Sequence, residues 1–139
     1  MSKQAKILVV DDDPDIIKAT TRVLESQGYR VTTALNGEEC LEKVQEESPD
    51  LIIMDLLMPK LDGFGVCRAL RENVKYAEYS DIPILVATAV REDASRRRYE
   101  LETGIDLNVD DYIEKPIHPL DLIHRVEKLL QKPNPNSKG

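Results

Sequence analysis

Short apolar runs alternate with longer stretches of helical periodicity along this chain. The runs predict strands over Lys6–Val10, Arg30–Ala34, Leu51–Met54, Ile82–Ala87 and Asp111–Glu114. Short length and β-branched content favour buried parallel strands. Between them, Pro14 fits the first turn of a helix reaching about Gln27, with Gly28 as its stop. Asn36-Gly37 turns into a helix over Glu38–Glu47, which Ser48-Pro49 ends. Further helices are expected over Gly63–Asn73, over Glu92–Thr103 with Gly104 after it, and over Pro119–Gln131. The order is (βα)5. Right-handed crossovers make that an α/β, doubly wound, five-stranded parallel sheet with helices on both faces. One domain is expected over residues 4–131. Residues 132–139 carry no apolar side chain and read as a loose tail or the start of a linker.

The strand ends break the apolar pattern. Ile7-Leu8-Val9-Val10 runs into Asp11-Asp12-Asp13, and Leu51-Ile52-Ile53-Met54 runs into Asp55. A carboxylate at the end of an apolar strand costs desolvation energy unless a metal, hydrogen bonds or water meet it. Ligands of open α/β sheets bind beyond the carboxyl ends of the strands. Strands one, three, four and five deliver Asp11 and Asp12, Asp55, Thr88, and Lys115-Pro116 to that edge. Each has a bland explanation by itself: Asp is a common turn residue, Thr a good strand former, Lys-Pro a common loop pair. All four on one edge are not explained that way.

Composition narrows the class. The chain has 139 residues, 41% apolar and 32% charged, enough for one domain with a proper core. With one Phe and no Trp, aliphatic side chains must build that core. A formal net charge of −7 argues against general binding to nucleic acid or membranes. No apolar run approaches a membrane span, and the N-terminus reads as cytoplasmic rather than secretory. Cys40 and Cys67 fall within helical patterns and read as reduced core thiols. His118 and His124 lack partners at metal-ligand spacing.

The strand-end set permits one chemistry in particular. Asp12 and Asp55 offer oxygens to Mg²⁺, a hard cation, with Mn²⁺ as a substitute, and Asp11 can hold one of its waters. With the charge neutralised, Asp55 can act as a carboxylate nucleophile forming an acyl phosphate. Lys115 and the Thr88 hydroxyl suit further phosphoryl oxygens. Phosphoryl transfer needs little beyond such positioning and neutralisation.

Four segments carry a resemblance: Val9-Val10-Asp11-Asp12-Asp13; Met54-Asp55-Leu56-Leu57-Met58-Pro59 with Asp62-Gly63; Ala87-Thr88-Ala89; and Tyr112-Ile113-Glu114-Lys115-Pro116. In this order they resemble the receiver domains of two-component response regulators, which have a flavodoxin-like fold. The resemblance implies that Asp55 is the phosphoacceptor, supplied by a sensor histidine kinase or a histidine phosphotransfer protein. It implies that Asp11, Asp12, Asp55 and the backbone carbonyl of Leu57 hold Mg²⁺, and that Lys115 contacts the phosphoryl group. Thr88 and Tyr112 become a switch pair, a two-position element that a new charge can bias. The expected protein is a self-phosphorylating switch rather than an enzyme with an external substrate. It would act on an unknown downstream protein by contact, without touching nucleic acid.

The chain also departs from the family. Ile117 stands where an aromatic usually follows Lys-Pro, and the span from Thr88 to Lys115 is longer than usual, with the excess at Ile105-Asp106-Leu107-Asn108-Val109. A smaller excess at Asn73–Ser80 reads as a longer loop. Leu57 and Val90, at positions that tune phosphoryl lifetime in the family, are apolar, which predicts slow dephosphorylation. Arg96, Asp111, Asp121 and Arg125 match the charge signs of a family dimer face, so a phosphorylation-promoted homodimer is a candidate; a solvated helix face is the plainer reading of the Arg96-Arg97-Arg98 run. After Leu130 too few residues remain for an output domain, so the chain is read either as a stand-alone regulator or as the N-terminal receiver of a longer one. An Asp-nucleophile phosphatase would need a second Asp where Leu57 stands. A flavin module would need a Gly/Ser/Thr-rich loop where three Asp residues stand.

Overall fold

The computed structural model describes residues 5–58, 60–89, 94, 97, 98, 100, 101 and 109–131. Five strands form one sheet: β1 (Lys6–Val10), β2 (Arg30–Ala34), β3 (Leu51–Asp55), β4 (Ile84–Thr88) and β5 (Asp111–Glu114). Their spatial order is β2-β1-β3-β4-β5, and every neighbouring pair is parallel. The expected doubly wound α/β sheet is the observed one. Order reverses beside β1, which pairs with both β2 and β3, so the crevice of such a fold opens beyond the ends of β1 and β3.

The helices whose bounds lie among the described residues are α1 (Pro14–Ser26), α2 (Gly37–Glu47), α3 (Gly63–Glu72) and α4 (Pro119–Gln131). Three begin on an Asx cap. Asp13, Asn36 and Asp62 each accept a hydrogen bond from a first-turn N–H, of Asp15, Glu39 and Gly65 respectively. Pro14 opens α1, and Gly28 closes its exit at φ +90°, a conformation that favours glycine. Between β4 and β5 the described residues Ala94, Arg97, Arg98, Glu100 and Leu101 are helical. Arg96, Val90 and 105–108 lie outside the described residues, as do 1–4 and 132–139.

Alternation along the strands sorts the core into two layers. Leu8, Val10, Ile52, Met54, Ile84 and Val86 face α2 and α3, joining Cys40, Val44, Phe64, Val66 and Leu70. Ile7, Val9, Leu51, Ile53, Leu85, Ala87 and Ile113 join Leu24 of α1 and Leu122, Val126 and Leu129 of α4. Both cysteines are free and buried, and burial pushes each thiol up to about 12. Among the described residues no helix is long and apolar enough to cross a membrane.

Three boundaries differ from expectation. β4 starts at Ile84 rather than Ile82 and includes Thr88. Pro83 has no N–H for the ladder, and the Ile82 N–H closes a turn onto the Tyr79 carbonyl, 3.2 Å. β3 extends to Asp55, which pairs with Ala87, so the carboxylate stands on the strand and not after it. The expected loop at Asn73–Ser80 is a 3₁₀ segment over Val74–Tyr79, kinked at Tyr76. Asn73 caps it through the Lys75 N–H, 2.9 Å, and Tyr76 is buried in the core beside α3.

Candidate functional site

The acidic strand ends meet. One oxygen each from Asp11, Asp12 and Asp55 lies within 4.8 Å of the others. Asp11 and Asp55 are almost fully buried, 3% and 4% exposed, whereas Asp12 is open to solvent. The Lys115 ammonium reaches between the buried pair, 3.3 Å from Asp11 Oδ2 and 3.4 Å from Asp55 Oδ2. Both contacts are long for charge-assisted bonds, which favour about 2.7–2.9 Å. Burial holds the Asp11 carboxyl above its ordinary pKa; Asp55 pushes the same way, and the Asp13 N–H and Lys115 pull against it. The Asp13 N–H donates to Asp11 Oδ1 at 2.9 Å, fixing the carboxylate.

Neighbouring strands set the remaining groups. The Lys115 N–H donates to the Thr88 carbonyl, 2.8 Å, tying the start of the β5–α4 connection to the end of β4. Lys115-Pro116 is a cis peptide. Thr88 is buried at that strand end, and its hydroxyl donates to the Ala89 carbonyl, 3.1 Å. In register, Val86 sits opposite Tyr112 and Thr88 opposite Glu114. Thr88 and Tyr112 therefore project from adjacent strands onto the same face. Tyr112 is half-buried there, against the α2–α3 core layer.

Leu57 is the second residue of the β3–α3 loop, and its N–H reaches Asp55 Oδ1 at 3.3 Å. The loop is closed by the Gly63 N–H on the Leu56 carbonyl, 2.8 Å. A Cβ at Gly63 would sit 2.7 Å from the Asp55 carbonyl oxygen, so only glycine allows this approach. The donor set consists of hard oxygens with a high negative charge, which fits Mg²⁺ and not a soft metal.

Of the expected dimer face, Asp111, Asp121 and Arg125 are among the described residues. Arg125 binds Asp111 through both carboxylate oxygens at 2.9 Å, Asp121 at 2.9 Å and the Tyr112 carbonyl at 2.9 Å, all within one molecule. Arg96 lies outside the described residues. Sequence reasoning missed an apolar groove of about 240 Å³ between α1 and the β5–α4 connection. Ile16, Ala19, Val23, Pro116, Ile117 and Leu122 line it, and Lys115 belongs to both groove and acidic pocket. Ile16, Ala19 and Val23 recur at helical spacing, but only the fold shows what they face.

The comparisons agree with this geometry. The family model described as "Response regulator receiver domain" matches residues 7–127. The chain is 41% identical to the alkaline phosphatase synthesis transcriptional regulatory protein PhoP of Bacillus subtilis, over 91% of this chain and 49% of that protein. Indeed the chain spans about half the length of the curated relatives it matches. Among solved structures, the chemotaxis protein CheY4 of Vibrio cholerae is similar with a TM-score of 0.76 and 28% identity, covering 91% of this chain and 99% of that one. The receiver domain of a sensor histidine kinase from Pseudomonas aeruginosa has a TM-score of 0.77 and 25% identity, covering 94% of this chain and all of that one. That structure has a magnesium ion coordinated in its active-site cleft. By fold, acidic edge and family match together, this chain belongs to the response regulator receiver domains of two-component systems.

Proposed function

We propose that Asp55 accepts a phosphoryl group from a phosphohistidine and that the protein uses it to change its contacts. The observation that carries this is the Asp55 carboxylate, buried at a strand end beside Asp11 and Asp12 and 3.4 Å from Lys115. Asp11, Asp12, Asp55 and the Leu57 carbonyl would hold Mg²⁺, which neutralises charge and orients phosphoryl oxygens when bound. An Asp55 oxygen forms the new O–P bond as the N–P bond of the donor breaks. The imidazole keeps the N–P electron pair and leaves neutral, its other nitrogen protonated. Lys115 is positioned to stabilise the charge that remains on the phosphoryl group, and the Thr88 hydroxyl engages it by rotating off the Ala89 carbonyl.

The donor is a sensor histidine kinase or histidine phosphotransfer protein, and the groove that shares Lys115 with the pocket gives it an apolar place to dock. The protein turns over no external substrate. Incubation with acetyl phosphate and Mg²⁺ followed by intact mass tests the reading: one phosphoryl adduct is expected, and none with Asp55→Asn. An undiminished adduct in that variant would rule Asp55 out. Leu57 and Val90 carry no group to orient an attacking water, so the adduct decays slowly. A lifetime of seconds in Mg²⁺ buffer contradicts that.

Output runs from Thr88 through Tyr112 to the β5–α4 face. Arg125 grips the Tyr112 carbonyl and Asp111, so a change at Tyr112 is felt there directly. A phosphorylation-promoted homodimer through Arg96, Asp111, Asp121 and Arg125 would trade these internal pairs for equivalent ones across a two-fold axis. Sedimentation with beryllofluoride should show the dimer; a monomer at high concentration ends that extension. The net charge of −7 supports output by protein contact and not by nucleic-acid contact of this domain. A second reading, a receiver within a longer transcriptional regulator, is favoured by the half-length match to relatives named for that role.

A further inference from the structure

The β3–α3 loop that contains Leu57 is fastened from outside the site by a residue on another unit of the fold. Gly37, the first residue of α2, donates its N–H to the Leu61 carbonyl at 2.8 Å. This N–H is one of the donors a helix N-terminus cannot satisfy internally. The approach is possible only without a side chain. A Cβ at Gly37 would collide with the Leu61 carbonyl oxygen, lie 2.7 Å from the Leu61 carbonyl carbon and 2.8 Å from Val66 Cγ2. The first two atoms are backbone, so the loop itself would have to shift. That loop is closed on its inner side by Gly63 against Leu56, and it is curled further by Lys60 at φ +63°. A displacement at Leu61 acts on the same loop that holds Leu57, whose N–H meets Asp55 Oδ1 at 3.3 Å.

We infer that Gly37 is a positioning residue for the cation site: its contact with Leu61 sets the β3–α3 loop so that the Leu57 carbonyl converges with Asp11, Asp12 and Asp55. The inference rests on the reading that these groups hold Mg²⁺. Groups hydrogen-bonded to a metal's own ligands commonly change its affinity by about 10–100-fold, and Gly37 acts one step further out through the loop, so the lower end applies. Gly37→Ala should accordingly weaken Mg²⁺ binding by about tenfold or more, while Gly65→Ala and Gly28→Ala change it little. The Cβ of Gly65→Ala meets mainly the flexible Leu61 side chain, and that of Gly28→Ala meets open space at the far end of α1.

Mg²⁺ titration calorimetry on the folded full chain, with circular dichroism and metal-free thermal midpoints as controls, decides this. Absent Mg²⁺ binding by the unsubstituted protein defeats the underlying reading of the site. Normal binding there and in Gly37→Ala defeats only the role of Gly37. So does an equal weakening in Gly28→Ala, which would mark a general loss of stability. A second measurement needs no variant. Coupling between sites is reciprocal, so Mg²⁺ must strengthen the Gly37–Leu61 bond if that bond supports Mg²⁺. Hydrogen exchange of the Gly37 amide should slow on saturation with Mg²⁺. An unchanged Gly37 exchange rate, alongside a responding Leu57 amide, overturns the proposal.

Discussion

The two ends of the sheet handle charge in opposite ways. At the amino ends of the strands, Arg71 of α3 donates to the carbonyls of Ser80 and Ile82 and pairs with Asp110, whose carboxylate also accepts the Ile84 N–H at 2.8 Å. Lys6 binds the Glu47 carbonyl and carboxylate, and its own N–H meets Asp50. These bonds join α3, the 3₁₀ segment, β4 and the start of β5, and they seat β1 against its neighbours. At the carboxyl ends, two buried carboxylates share Lys115 through contacts of 3.3–3.4 Å, beside the exposed Asp12. The first arrangement satisfies its polar groups within the fold. The second leaves like charges close together with capacity for a ligand. Proteins concentrate such perturbed groups where they act on ligands, and the fold confines them here to one edge.

Breaking the paired end should have the largest effect on stability. Arg71→Met takes this donor from the Ser80 and Ile82 carbonyls and one of its partners from the Asp110 carboxylate, and is expected to cost roughly 2–4 kcal/mol in denaturant unfolding. Phosphoryl labelling of the fraction that remains folded should persist. A neutral outcome would erase the distinction between the ends.

Lys115→Met attacks the other end. Without Mg²⁺ it leaves Asp11 and Asp55 facing each other and should cost about 1–3 kcal/mol. Mg²⁺ should then raise the thermal midpoint more than it does in the parent protein, because the cation replaces the missing charge. An equal rise in both would show that lysine and metal do not address the same carboxylates.

The pH dependence sharpens the contrast further. The folded pKa of Asp11 lies above its ordinary value, chiefly because of burial. The folded state thus binds that proton more tightly than the unfolded chain. This group's contribution to metal-free stability grows as pH falls from above the folded value to below the ordinary one. Mg²⁺ affinity weakens over the same window, because proton and cation compete. Asp11→Asn should flatten this component of a stability–pH profile. Persistence of the slope would assign it to another group.

Much of this was legible in the chain. Apolar runs marked the strands, Asx caps and glycine stops marked the helices, and the topology then required Asp11, Asp55, Thr88 and Lys115 to share an edge. The misreadings have two physical causes, one local and one distant in sequence. Ile82 left the strand because Pro83 and Tyr79 hold it in a turn. The segment after Asn73 became a 3₁₀ turn because Tyr76 finds a place in the core. Neither the Arg71–Asp110 bond, nor the Gly37–Leu61 contact, nor the pairing of Arg125 with Asp111 has a local signature.

The carboxylate that carries the new bond can be identified chemically. After labelling with acetyl phosphate and Mg²⁺, borohydride reduces an acyl phosphate of aspartate to homoserine, which peptide mass mapping locates. Homoserine is expected at position 55 and none at 11 or 12, with the signal lost when Mg²⁺ is omitted. Homoserine at Asp11 or Asp12, or an unchanged Asp55 in a protein that carries the phosphoryl group, would contradict it.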